Sequence, residues 1–144
     1  YYNPPMLTPE EIVSLMYDND PFSQWLGIER VDVGHGHCTL RMTVRQEMTN
    51  GFGIAHGGIT FSLADSAFAF ASNSCGRHAL SIECDINHMK AVRTGDTLTA
   101  AAKEESLSHR IGIYRVEVTN QDDEVVALFK GMVYRKSVEW MEGD

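Results

Sequence analysis

The chain has 144 residues, 43% of them hydrophobic and 22% charged, which is typical of one ordinary globular domain and unlike a disordered protein. Its 12 Lys and Arg are outnumbered by 20 Asp and Glu, giving a formal net charge of −8. This charge argues against nucleic acid as a main partner, because duplex binding requires a basic face, whereas a small anionic ligand needs only a few local cations.

Two short helices are predicted near the start of the chain. Residues 8–11, Thr-Pro-Glu-Glu, form a capping box with proline at the first helical position, so the first helix is expected over about 8–18. Asp20 and the proline after it can cap a second short helical turn through Trp25, which we expect to end at Gly27.

The period of the apolar residues then changes to two. Residues 38–44 alternate between apolar and polar, which predicts a half-buried strand after a turn at 34–36. A second turn at 50–53 is followed by a helix predicted over about 58–73. This helix is apolar on nearly every side, so we expect it to be buried on most of its surface.

Four more strands are predicted in the remainder of the chain, with a hairpin turn before the last one. They are expected over residues 80–87, 97–105, 111–119 and 125–134. Consecutive strands with short connections favour an antiparallel sheet, and a sheet wrapped around one apolar helix satisfies both patterns. The predicted fold class is therefore α+β, and residues 1–144 are assigned to a single domain.

No pattern in the sequence predicts a membrane or secreted protein. The most apolar segment, residues 59–71, is too short and too polar to span a bilayer, and no signal peptide is predicted. The chain has an odd number of cysteines, Cys38, Cys75 and Cys84, and no two of them have CxxC spacing. We expect them to be free thiols in a reducing compartment, which favours a cytoplasmic location.

Asp65 is the unusual residue of the predicted central helix. It lies among alanines and has no basic residue three or four positions away. An unpaired buried carboxylate is costly, or its pKa rises. Asp65 therefore either caps another segment or pairs with a distant arginine, or it is an activated general base or nucleophile.

His56, Gly57 and Gly58 precede the central helix and are either simple turn residues or an oxyanion hole. Free N–H groups at a helix N-terminus favour negative charge, and glycine lets an oxygen approach the backbone. Gly57 and Asp65 are eight residues apart, about 12 Å along a helix, so a carbonyl held at Gly57 is out of reach of Asp65 in the same chain. If the two residues act together, they belong to different subunits of an antiparallel dimer with two equivalent sites.

The segments Asn50-Gly51, His56-Gly57-Gly58 and Leu63-Ala64-Asp65 closely resemble the hotdog-fold acyl-CoA thioesterases of the phenylacetate-degradation (PaaI) type. The later segments that share the resemblance are 94–100 and 125–131, so that it covers about residues 10–136. It implies a hotdog fold, in which an antiparallel sheet wraps one long helix. It also implies an acyl-CoA substrate, no separate cofactor, and homodimers paired edge to edge with shared sites, usually doubled into homotetramers.

The resemblance also implies roles for individual residues. Asp65 matches the catalytic carboxylate, Gly57 matches the residue whose N–H polarises the thioester carbonyl, and His56 matches the histidine that shapes the oxyanion loop. Asn50 matches a polar residue beside the carbonyl or the attacking water, and Ser81 a serine that orients the water in some relatives. A thioester is already an activated acyl group, so one carboxylate and one N–H donor can suffice without a GxSxG nucleophile.

The phosphates of coenzyme A require cations, which the resemblance places after the strand that follows the central helix, in the next hairpin and near the C-terminus. The candidate residues for binding coenzyme A are His88, Lys90, Arg93, Ser108, His109, Arg110 and Arg135. Residues 87–91, Asn-His-Met-Lys-Ala, replace an Asp-Phe-Leu-Arg-Pro run that is common in the family. The acyl group is therefore open between phenylacetyl, a hydroxylated relative and a medium chain, with the aryl-acetyl groups favoured.

Three alternatives involve different chemistry. A hotdog hydratase or dehydratase would use His56 with Asp65 to move a proton next to a carbonyl. A resemblance to such enzymes would require a proline-rich turn, which residues 50–58 lack. A non-catalytic acyl-CoA-binding module would not need a costly carboxylate. A metal site at His35 and His37 lacks a third nearby ligand, so no metal is predicted.

Overall fold

A computed structural model describes residues 6–144, so that residues 1–5 of the predicted single domain lie outside the described range. The helices are α1 (Pro9–Asp18), α2 (Pro21–Leu26), a short 3-10 helix (Gln46–Met48) and α3 (Gly57–Asn73). The strands are β1 (Glu29–Gly34), β2 (His37–Thr43), β3 (Arg77–His88), β4 (Thr97–Leu107), β5 (Ile111–Thr119) and β6 (Val125–Glu139).

Both predicted N-terminal helices are present and begin and end through local hydrogen bonds. The Glu11 N–H donates to Thr8 Oγ1 at 3.2 Å and the Thr8 N–H donates to Glu11 Oε1 at 3.0 Å, which completes the predicted capping box. α2 begins at the Asp20 cap and ends at Gly27, whose φ of 73° lies in the left-handed region that glycine tolerates.

The six strands form one antiparallel sheet in the order β1-β2-β4-β5-β6-β3. The sequence predicted one strand before the central helix, and this was wrong, because β1 precedes β2. The side chains of β1 are exposed or half-buried and show no alternation of burial. The only alternation in its sequence is Val31-Asp32-Val33, which is too short to predict a strand by itself. β6 likewise continues to Glu139, beyond the predicted end at 134, where its residues are mostly exposed.

The sheet wraps around α3, which confirms the predicted hotdog fold. One side of α3 packs against the sheet through buried apolar side chains, including Leu63, Ala67 and Phe68. The Phe68 ring lies so close to β6 that a Cβ at Gly131 would be 2.6 Å from it. Glycine at this position lets the aromatic ring rest directly on the sheet backbone.

The remaining face of α3 is only half-buried in the single chain. Its half-buried residues include Ile59, Ser62, Asp65, Ser66 and Ala69. α2 lies beside this face, and the Ser23 and Ser66 hydroxyls are 2.8 Å apart. Within residues 6–144, no helix combines the length and the apolar character needed to cross a membrane.

Candidate active site

The loop before α3 places a free backbone donor at the start of the helix. The His56 N–H donates to the Met48 carbonyl at 2.8 Å and the Ala55 N–H donates to the Val92 carbonyl at 2.7 Å, which fixes the loop on both sides. Within residues 6–144, the Gly57 N–H has no hydrogen-bond acceptor. A donor of this kind at a helix N-terminus is oriented to stabilise a developing oxyanion.

His56 caps α3 through its side chain. Its Nδ1 accepts a hydrogen bond from the Gly58 N–H at 2.9 Å, so the neutral ring carries its hydrogen on Nε2. The capping bond satisfies Gly58 and leaves Gly57 as the donor that faces outward. His56 is thus the N-cap of α3, and its role in an oxyanion loop stays a prediction.

Asn50 holds the preceding turn and keeps a donor group available. Its Oδ1 accepts from the Phe52 N–H at 2.9 Å, and its backbone N–H donates to the Ile54 carbonyl at 2.8 Å. The side-chain NH₂ group has no acceptor within the described part of the chain. It is therefore available to a carbonyl or to a water molecule.

A cleft of about 320 Å³, here named the Gly57 cleft, opens beside this loop. Four of the predicted site residues line it together: Asn50, Gly57, His88 and Lys90. The His88 ring lies against the glycine, because a Cβ at position 57 would be 3.2 Å from His88 Nε2. The Lys90 ammonium forms an ion pair with Glu124.

Asp65 lies eight residues after Gly57 on the same helix, so the predicted separation of about 12 Å along α3 stands. Burial raises the pKa of the Asp65 carboxyl, and the nearby Asp20 carboxylate raises it further. Among residues 6–144, no side chain or backbone group forms a hydrogen bond or an ion pair with this carboxyl. Neither of the structural roles considered for Asp65, a cap or a pair with a distant arginine, is present.

Asp20 is the neighbour that sequence reasoning missed. It was recognised only as a helix cap, and it does cap α2 by accepting from the Ser23 N–H at 3.0 Å and the Ser23 hydroxyl at 2.6 Å. The link from Ser23 to Ser66 brings this capped end of α2 next to Asp65. No local pattern in the sequence connects two residues that are 45 positions apart.

Ser81 lies on β3 beside a β-bulge and is exposed. Its Oγ is 3.1 Å from Cys84 Sγ. Burial raises the pKa of the Cys84 thiol, and the negative charge of Asp65 contributes to the rise. Ser81 is therefore in the neighbourhood of Asp65, although its hydroxyl is engaged by a thiol.

The predicted coenzyme A-binding residues fall into two groups near opposite ends of β3. His88 and Lys90 lie at or just beyond the end of β3, followed by the exposed Arg93. The second group lies near the start of β3 and consists of Ser108, His109, Arg110 and Arg135. Arg135 Nη1 donates to the Ser108 carbonyl at 2.7 Å, and the Arg135 carbonyl accepts from Arg77 at 3.1 Å.

The two groups are separated by the length of β3, roughly 36 Å along the strand at about 3.3 Å per residue. One chain therefore does not bring all the predicted phosphate ligands together. Separately, no three His, Cys, Asp or Glu side chains converge as metal ligands anywhere in the described residues. Of the two histidines considered for a metal, His37 pairs with Asp32 at 3.3 Å.

The fold and the geometry agree with comparisons to known proteins. A family model described as the thioesterase superfamily matches residues 52–127, which is more than half of the chain and includes both Gly57 and Asp65. The chain belongs to the thioesterase superfamily. This membership confirms the predicted enzyme class, a hydrolase acting on thioester bonds.

Two relatives narrow the placement within the family. The acyl-coenzyme A thioesterase PaaI of Escherichia coli is 42% identical over 120 residues, covering 83% of this chain and 86% of that protein. Its solved structure superposes with a TM-score of 0.89 at 38% identity, over 91% of this chain and 95% of that one. A Streptococcus mutans protein solved with bound acetyl-CoA has a TM-score of 0.76 at 27% identity, over 78% of this chain and 91% of that one.

Proposed function

We propose that this protein is a homodimeric acyl-CoA thioesterase that hydrolyses aryl-acetyl-CoA substrates, such as phenylacetyl-CoA or hydroxyphenylacetyl-CoA. The proposal rests on two groups of α3 that have no hydrogen-bond partner among residues 6–144, the Asp65 carboxyl and the Gly57 N–H. The likeness to PaaI, an acyl-coenzyme A thioesterase, supports the substrate class.

In this mechanism the thioester carbonyl oxygen accepts a hydrogen bond from the Gly57 N–H, which stabilises the negative charge that develops on the oxygen. The Asp65 carboxylate of the other subunit either attacks the carbonyl carbon, giving an anhydride that water then hydrolyses, or removes a proton from the attacking water. The carbon–sulfur bond breaks, and the products are the free carboxylic acid and the thiol of coenzyme A. Asn50 donates to the carbonyl or to the water from its free NH₂ group.

The dimer is supported by the exposed edge of the sheet. β3 is an edge strand of 12 residues, and its Leu80 and Ile82 side chains are 57% and 55% exposed. An edge of this kind can add a second strand through its free N–H and C=O groups. A second copy of β3 in antiparallel orientation completes the sheet across a twofold axis, and doubling of such dimers gives the homotetramer that the resemblance implies.

The same arrangement accounts for the two groups of cations. In an antiparallel pair the start of one β3 lies beside the end of the other. Arg110 and Arg135 of one subunit then approach the end of the sheet where Lys90 and Arg93 of the other subunit lie. The phosphates of one coenzyme A are held by residues of both chains.

The test is the release of free thiol from a panel of acyl-CoAs by the wild type and by Asp65→Asn. We expect hydrolysis of aryl-acetyl-CoA by the wild type and a loss of at least about 100-fold in kcat in the variant, because amide replaces the base or nucleophile. Asp122→Asn, which changes an exposed carboxylate in the β5–β6 turn, is the matched control and should retain activity. Near-normal turnover in Asp65→Asn, or no hydrolysis of any substrate by the wild type, would contradict the proposal.

A further inference from the structure

A second cleft opens beside the start of α3 and has no part in the chemistry described so far. It has a volume of about 370 Å³, within the usual range for small-molecule sites of roughly 300–1,000 Å³. Its apolar lining consists of Phe22, Met48 and Ile59, and its polar lining includes His56 and Ser62. We name it the Phe22 cleft.

The aromatic wall of this cleft is held in place although it is half-exposed. Phe22 is 50% exposed and stacks on Trp25, with ring centroids 6.0 Å apart and planes 20° apart. Arg45 fixes Trp25 in turn, because its Nη2 donates to the Trp25 carbonyl at 2.7 Å and its guanidinium lies 4.9 Å from the ring centroid. The Phe22 ring is thus ordered toward solvent, where a ligand can contact it.

The Phe22 cleft lies on the Asp65 side of α3. Gly58 and Ser62, which line the cleft, precede Asp65 by seven and three residues, so all three share one helix face. Ser62 is about 4.5 Å before Asp65 along the helix axis. The hydrogen bond between Ser23 and Ser66 anchors the helix that bears Phe22 to the same face.

The two clefts therefore continue the substrate in different directions. A thioester polarised at Gly57 of one subunit has its coenzyme A arm in the Gly57 cleft of that subunit, beside Lys90. Its carbonyl carbon faces Asp65 of the other subunit, and the acyl group extends along α3 of that subunit toward the Phe22 cleft.

We propose that the Phe22 cleft receives the aryl ring of the substrate and that Phe22 determines the preference for aromatic over short acyl groups. This inference rests on the proposed thioesterase function. Aromatic rings favour offset or edge-to-face contacts with one another, and Phe22 offers such a surface to the ring, with Ile59 as a second apolar contact. An acetyl group has no ring to make these contacts.

The decisive measurement is the ratio of kcat/KM for phenylacetyl-CoA to kcat/KM for acetyl-CoA. We expect Phe22→Ala to lower this ratio by at least about tenfold, since the loss of apolar pocket contacts changes discrimination by roughly 10–200-fold. Phe22→Tyr, which keeps the aromatic surface, should restore most of the ratio. Val31→Ala is the control, because Val31 is a similarly exposed apolar side chain, at 47%, that lines neither cleft and does not contact Phe22.

The outcomes separate this inference from the proposed function. An unchanged ratio in Phe22→Ala, or an equal fall in Val31→Ala, would overturn the role of Phe22 and leave the thioesterase activity intact. Wild-type hydrolysis restricted to straight-chain acyl-CoAs would overturn both this inference and the aryl-acetyl substrate class, and would leave only the thioesterase reaction. If the wild type hydrolysed no acyl-CoA, the proposed function and this inference would fail together.

Discussion

The Asp65 carboxylate destabilises the folded chain when it is ionised, and the ionised form is the one that can serve as a base or nucleophile. Burial and the Asp20 carboxylate disfavour its ionised form, and no hydrogen bond or ion pair within residues 6–144 compensates. The group has to be ionised to serve as a base or nucleophile. The fold therefore contains an energetically unfavourable carboxylate at the position where the proposed chemistry requires one.

The raised pKa of Asp65 makes a prediction about stability. At neutral pH the ionised carboxylate is less favourable in the folded than in the unfolded chain, so Asp65→Asn should increase the free energy of unfolding. As the pH falls through the raised pKa, Asp65 is protonated in the folded protein and the difference between variant and wild type should shrink. Below the ordinary pKa of an aspartic acid it should vanish.

Urea unfolding of the wild type and Asp65→Asn across this pH range measures the difference directly. Asp122→Asn again serves as the reference, because an exposed turn carboxylate should give no such pH-dependent gain. A wild type that is as stable as Asp65→Asn at neutral pH would show that the carboxyl is compensated in solution.

At the level of elements, the contact between α3 and β6 depends on a single glycine. A Cβ at Gly131 would lie 2.6 Å from the Phe68 ring, which is fully buried and packs between Tyr114 and Phe129. The ring has no free space into which to retreat. We expect Gly131→Ala to lower the free energy of unfolding by about 2 kcal/mol, within the range for overpacked cores.

Chemical denaturation gives this value, and Gly51→Ala supplies the comparison. Gly51 has an ordinary backbone φ and no atoms within 4 Å of the position of an added Cβ. This control should be neutral or slightly stabilising, because alanine restricts the unfolded chain. Equal stability of the two variants would mean that α3 can shift away from the sheet at little cost.

The elements also differ in how far the sequence could predict them. α1 was predictable because Thr8 and Glu11 satisfy each other within one helical turn. β1 was not, because its exposed strand is held by pairing with β2 and not by a burial pattern of its own. Gly57 was found as a candidate because it lies in a glycine turn just before a predicted helix, and Asp65 because it is a lone carboxylate within that apolar helix, whereas the position of Phe22 beside the helix depends on tertiary contacts.

At the level of the whole molecule, the proposed sharing of the site between subunits predicts complementation between two inactive variants. Asp65→Ala removes the carboxylate. Gly57→Pro removes the N–H donor, and the backbone suits proline at the first helical position after His56, with φ −59° and ψ 136°. The exposed His88 side chain, 3.2 Å from the position of an added Cβ, has to shift slightly. A dimer with one subunit of each kind contains one site with both groups intact and one site with neither.

Such a mixed dimer should recover about half of the wild-type kcat, because one of its two equivalent sites is complete. The measurement is thiol release from isolated mixed dimers carrying two different affinity tags. Dimers of two Asp65→Ala subunits that differ only in their affinity tags give the background rate of thiol release. No recovery in verified mixed dimers would place both groups of one site in a single chain.

The acyl preference of this protein can change through residues that lie outside the range matched by the family model. Residues 52–127 contain Gly57 and Asp65, whereas α2 and Phe22 lie outside that range, on the outer side of α3. The proposed reacting groups therefore lie inside the matched range, whereas Phe22, the aromatic part of the proposed acyl cleft, is encoded by a separate stretch of the gene. Exchange of α2 alone offers a route to a new acyl preference while the inherited catalytic helix stays intact.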